Sequence, residues 1–265
     1  MINEIYLNSM DELIRALNEL PNNYIYRGHA DSEWTLESTL ERILGARWSK
    51  ELAGRFEDYY LNIFRSKYHI YKKDEHEPKS KLAWLSVMQH YGVPTRLIDF
   101  TESPYIALYF ALEVYNPQLK KDLAIYAIDY TSIMNSSSQY ISNKDSSFLK
   151  TKESFKGNPD LLFDDVVDRF AYDVVWITEP QELNARMDRQ SGTFLIAGDK
   201  EMKIEALLNS ATYNKSSIIK YRISNSLYEN IYALLRKMNI NAKAIYGDLG
   251  GLAKSIKMDM QVHLI

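Results

Sequence analysis

Cysteine is absent from this chain, so neither a disulfide framework nor thiolate chemistry is available to it. Long apolar runs are absent as well, and none approaches the roughly 20 residues that a membrane-spanning helix needs. The first residues, Met1 to Glu4, show neither the basic flank nor the apolar stretch of a secretory signal. A soluble cytoplasmic protein with no membrane partner is the expectation. No G-x-S-x-G elbow, P-loop or Rossmann glycine fingerprint occurs, which removes the commonest hydrolase and phosphate-cradling designs. The histidines (His29, His69, His76, His90 and His263) are scattered, none forms an i, i+4 pair, and no metal cofactor is expected. Charge of one sign is also lacking: 32 basic against 35 acidic residues give a formal net charge of -3. No global positive field would gather nucleic acid.

What is present is enough apolar residue, 46% of 265, for one sizeable core or two small ones. Ser9-Met10-Asp11-Glu12 has the capping-box pattern, with Leu13, Leu17 and Leu20 following at helical spacing. Tyr24-Ile25-Tyr26 reads as a short strand running into Arg27-Gly28. An amphipathic helix is expected from about Glu51 to Tyr71, and another from Lys81 to Tyr91, closed by Gly92 and Pro94. Ser103-Pro104 starts a helix to Val114 that is apolar on nearly every face and so should be buried. Short strands are expected at Leu123–Ile128, Val174–Ile177, Phe194–Ala197 and Ile218–Ile223. A last helix is expected behind Ser226-Leu227-Tyr228-Glu229. The Ser/Asn-rich stretch 131–160 has the weakest pattern and reads as a flexible insertion or a lid over a cleft. These elements predict one α+β domain spanning 1–265, with a helix-rich N-terminal half and a central mixed or antiparallel sheet of short strands.

Three polar clusters could carry chemistry. Tyr26-Arg27-Gly28-His29 ends a strand in a guanidinium able to grip phosphate or carboxylate, unless an acid elsewhere pairs with it. The run from Gln89 to Ser103 places His90, Tyr91, Arg96, Asp99, Thr101 and Ser103 between two apolar helices. It suits an anion at a helix start, or equally a capping network in which the hydroxyls and Asp99 hold backbone N–H groups. The third runs from Glu179 through Glu182, Arg186, Arg189 and Gln190 to Gly192. On its own it reads as an ordinary polar crossover between two apolar strands.

Taken in order, the clusters resemble the FRG-domain family, named for an aromatic-Arg-Gly motif. Tyr26-Arg27-Gly28 is that motif with Tyr in the aromatic slot. Leu36 to Arg42 is similar to the leucine-serine-leucine-arginine stretch that follows it. Gln89 to Pro104 with Ala107 to Ala111 matches the family's longest motif, Phe100 standing where Trp is common. Arg186 to Phe194 and Ala244 to Gly251 resemble later elements. More distantly, the same parts resemble mono-ADP-ribosyltransferases. That resemblance implies NAD as substrate, Arg27 as its phosphate or ribose anchor, and Thr101 with Ser103 as the hydroxyl element. Tyr26, His90 or Tyr91 would stack on a ring, with Gly28, Arg96 and Asp99 among the binding residues. The chain departs from that pattern at Gln190, which stands where a catalytic glutamate is expected and cannot carry its charge. Asp188, Glu179 and Glu182 are offset, leaving Asp99 or Asp248 as replacement acids.

Three roles follow as expectations. The first is an NAD-dependent ADP-ribosyltransferase-like toxin or antiphage effector acting on an unknown macromolecular target. The second is a non-catalytic sensor of a nucleotide or phosphate-bearing small molecule. The third is a protein-interaction module using the tyrosine-rich surface and residues 131–160.

Overall fold

A computed structural model of the protein describes residues 2–72, 77–179, 181 and 185–262. Seven strands form one sheet: β1 (Asn3–Leu7), β2 (Tyr24–His29), β3 (Ile98–Thr101), β4 (Leu123–Asp129), β5 (Val175–Thr178), β6 (Gly192–Ala197) and β7 (Ile218–Ile223). Their spatial order is β1-β7-β4-β2-β3-β6-β5. The β1–β7 pair is parallel and every other pair is antiparallel, so the expected α+β chain with a mixed sheet of short strands is what forms.

The helices are α1 (Met10–Asn18), α2 (Thr39–Leu44), α3 (Lys50–Tyr71), α4 (Lys81–His90), α5 (Pro104–Glu113), α6 (Tyr130–Lys144), α7 (Phe148–Ser154) and α8 (Pro159–Leu162). They continue with α9 (Ala185–Arg189), α10 (Ile204–Leu208), α11 (Tyr228–Lys237), α12 (Ala242–Tyr246) and α13 (Leu249–Val262). Strand alternation sorts the sheet's side chains between two helical layers. Tyr24, Tyr26, Leu123, Ile125, Tyr221 and Ile223 pack with α1, α5, α11 and α12. Ile25, Tyr126, Ile128 and Ile218 point the other way, to α6 and α10. A third cluster joins α3 and α4 to Trp176, Phe194 and Ile196 at the β5–β6 edge.

Local sequence signals account for several boundaries. The capping box at Ser9 forms, Ser9 Oγ accepting from Glu12 N at 3.3 Å and Glu12 Oε2 accepting from Ser9 N at 3.2 Å. Ser9→Ala is therefore expected to lower stability by about 1 kcal/mol, read as a lower urea midpoint with an unchanged slope. Gly92 takes φ +79 after α4, as a left-handed cap requires. At α11 the expected cap differs: Leu227 precedes the helix without a side-chain cap, while Ser224 accepts from Ser226 N and closes a tight turn over Asn225–Leu227.

Residues 131–160 form α6, α7 and the start of α8. Ile133, Ser137 and Ile141 are buried along one stripe of α6, and Ser137 Oγ donates to Val175 O at 2.6 Å. The stretch is thus docked on the β5 end of the sheet. Among the described residues no helix is long and apolar enough to cross a membrane.

Candidate functional site: a split between two strands

β2 pairs with β4 along its whole length, but with β3 only at Tyr26↔Thr101. Beyond that pair the two strands part, and a cleft of about 690 Å³ opens at the split. Arg27, Gly28 and His29 of β2 line one side, and Asp99, Phe100 and Thr101 of β3 the other. Trp34, Glu37 and Arg42 form an outer wall; Phe110 and Glu113 of α5, Gln190 and Tyr246 complete it.

The aromatic-Arg-Gly tripeptide has a clear physical logic here. Alternation sends Tyr26 into the core against α5 and Arg27 to the opposite face. Gly28 returns to the α5 side, where a Cβ would sit 1.9 Å from the carbonyl oxygen of Ala107. Only glycine lets α5 lie this close, and α5 is what carries Phe110 and Glu113 to the cleft.

Arg27 is half-buried. Its Nη1 donates to the Asp99 carbonyl at 2.6 Å and its Nε to His29 Nε2 at 3.2 Å. Among the described residues it forms no ion pair. Burial, with a smaller push from Arg42, holds its pKa below the usual guanidinium value against the pull of Asp99. A guanidinium stays protonated at neutral pH, so Arg27 remains a cation at the cleft. His29 is buried and stacks edge-on to Tyr126 at 5.1 Å. Burial and the adjacent Arg27 push its pKa down to about 3, the Trp34 backbone opposing them. It is therefore a neutral imidazole that accepts from Arg27.

The hydroxyl element serves the backbone. Thr101 Oγ1 donates to Gln190 O at 2.6 Å and accepts from Ser103 N at 3.1 Å. Ser103 Oγ caps α5 through Ile106 N at 3.3 Å, and Ser103 is not among the cleft's lining. Gln190 lines the cleft, and among the described residues its buried Nε2 has no hydrogen-bond partner.

Arg27, Gly28, Tyr26, Asp99, Thr101 and Gln190 thus meet at one opening, whereas Arg96, His90, Tyr91 and Ser103 lie elsewhere. Arg96 is 2% exposed and pairs with Glu57 at 2.6 Å and with Asp168. That is the ion-pair alternative, realised at Arg96 rather than at Arg27. His90 and Tyr91 pack edge-to-face at the end of α4. Asp248 caps α13 through Gly251 N at 2.7 Å, and neither it, Asp188 nor Glu179 lines the cleft. Pro180, Glu182, His76, His263 and the side chain of Arg186 lie outside the described residues. No residue of 131–160 is among the cleft's lining. Among the described residues no cluster of three or more His, Cys, Asp or Glu could hold a metal.

Trp34, Arg42, Glu113 and Tyr246 belong to the cleft without having been expected there. Arg42 and Tyr246 lie in stretches that carry the family resemblance, and Trp34 is an aromatic in a polar segment close behind the Arg-Gly motif, whereas Glu113 had no such signal.

Residues 22–120 match the FRG domain family model. The chain carries an FRG domain. The match contains both halves of the split, β2 and β3, together with α5. Gln190 and Tyr246 enter the cleft from beyond it. No curated protein and no solved structure matches the chain. The ADP-ribosyltransferase resemblance gains no support from these comparisons.

Proposed function

We propose that the FRG-domain cleft binds a nucleotide through its phosphate, with Arg27 as the anchor. One observation carries this reading: a half-buried guanidinium, with no ion-pair partner among the described residues, faces an open cleft large enough for a small ligand. Burying a charge without a partner is costly, and an anionic ligand removes that cost by supplying the partner. Arg42 adds a second guanidinium at the outer wall, and the half-exposed Trp34 offers a ring face for a base. NAD and ADP-ribose are the first ligands to test by calorimetry against the full chain. Arg27→Ala is expected to weaken whichever binds by about 10- to 100-fold, the worth of a charge-assisted hydrogen bond. Unchanged affinity in that variant, or silence across both ligands in the wild type, would end the proposal.

Transfer of ADP-ribose from NAD is the second reading. The convergence of Arg27, Thr101 and Gln190 favours it; the engagement of the Thr101 hydroxyl with backbone and the uncharged Gln190 side chain weigh against it. Nicotinamide release from labelled NAD in cell extract, lost in Arg27→Ala, separates turnover from simple binding.

A further inference from the structure

We infer that Glu113 selects the ligand class of this cleft: a phosphate ester whose sugar hydroxyls lie beside the phosphate. The inference rests on the nucleotide-binding reading above. Two guanidiniums, Arg27 and Arg42, share the lining with four carboxylates, Glu33, Glu37, Asp99 and Glu113. Glu33 pairs with Arg222 at 3.0 Å and Glu37 with Lys203 at 2.7 Å, and one such pair does not exhaust a carboxylate's acceptor sites. A nucleic-acid strand or a long phosphate chain would meet carboxylate repulsion along such walls. A ligand with a short anionic part and several hydroxyl donors matches them.

Glu113 is the best-fixed of the four. Its Oε1 accepts from Tyr109 Oη at 2.9 Å and from Lys254 Nζ at 3.1 Å, and its Oε2 accepts from Tyr246 Oη at 2.8 Å. The side chain is only 15% exposed, so these donors set its direction. An ionised carboxylate offers about four lone-pair sites, and three donors leave room for a ligand hydroxyl. Such an acceptor is preorganised and loses little freedom on binding. Two of the three donors come from beyond the FRG match: Tyr246 ends α12 and Lys254 lies in α13, its Nζ 3.9 Å over the Tyr246 ring. Arg189 Nη1 in turn donates to Tyr246 O at 3.0 Å, tying α12 to the segment that presents Gln190. Tyr246 is thus a positioning residue for Glu113.

ADP and 2′,3′-dideoxy-ADP, titrated calorimetrically into the full chain, test this. The wild type should prefer ADP by about tenfold or more, the worth of hydrogen bonds to a charged acceptor. Glu113→Gln should bring the ratio down toward one, the dideoxy compound serving as the reference within each protein. Tyr246→Phe should lower the ratio part-way, which a purely structural role would not do. If the wild type binds both compounds equally, the inference falls and nucleotide binding stands. If it binds neither, nucleotide binding falls and takes the inference with it. A Glu113→Gln variant that keeps the full ADP preference places the hydroxyls elsewhere and overturns the assignment.

Discussion

Arg96→Ala is expected to destabilise the protein by about 3–5 kcal/mol, the range for breaking a buried ion pair by removing one partner. Arg96 Nε meets Glu57 Oε2 at 2.6 Å, Nη2 meets Asp168, and Nη1 donates to the Ala197 carbonyl. Lys81 bridges the same two carboxylates at 2.9 and 3.0 Å, and Lys200 lies 3.7 and 3.3 Å from them. This network ties α3 and α4 to the β6 end of the sheet, which explains why so costly a charge is tolerated inside. Burial alone would raise Glu57 and Asp168, but Arg96, then Lys81 and Lys200, outweigh it and hold both below the ordinary carboxylate range. Their folded-state pKa values are therefore lower than in the unfolded chain. The stability they supply is present above the unfolded value and is lost as pH falls toward the folded one. In Arg96→Ala the depression shrinks, so the gap between wild type and variant should be widest near neutrality and narrow below about pH 5. Urea unfolding of both proteins across that range provides the check. A gap below about 1 kcal/mol at pH 7 would show that the two lysines suffice without the guanidinium.

Arg96 also shows where reading the sequence reaches its limit. It stands three residues before Asp99, inside the run that supplies one wall of the cleft, and nothing local distinguishes it from a ligand-facing arginine. Its partners lie 39 and 72 residues away in the chain, so only the fold reveals them. Glu113 is no more legible: it ends an apolar helix, and two of the three groups that aim it come from α12 and α13. Elements held by local rules were readable. The Ser9 box, the Ser103-Pro104 start and the Gly92 cap each satisfy backbone groups within a few residues. β1 was not readable, because it is an edge strand with exposed residues from Asn3 to Tyr6 and shows little buried alternation. α6 was hidden by composition. Its buried stripe includes Ser137, whose hydroxyl is satisfied by Val175 O and Tyr213 Oη, so a core position is filled by a residue that reads as loop.

Gly28→Ala should be the most damaging single methyl in the molecule. The added carbon would lie 1.9 Å from Ala107 O, 2.7 Å from Ala111 N and 2.9 Å from Ala107 C, all of them backbone of α5. No side chain can rotate away to make room, so either β2 or α5 must shift. Neither does so cheaply: β2 is bonded to β4 along its length, and Ala107, Leu108, Ala111 and Leu112 of α5 are all buried. A loss above about 4 kcal/mol, seen as insoluble protein or a melting point lower by 10 °C or more, is the expected outcome. Gly92→Ala is the matched control. It has φ +79 but open space around its Cβ, so it carries only the left-handed backbone cost of about 1–2 kcal/mol. If Gly28→Ala melted no lower than Gly92→Ala, close approach of α5 would not be the reason for the glycine. A Gly28 variant that stays folded is informative too, since the displaced helix carries Glu113 and Phe110 with it. Its ligand affinity should then fall although Arg27 is intact, because the glycine sets the spacing between the guanidinium and the opposite wall.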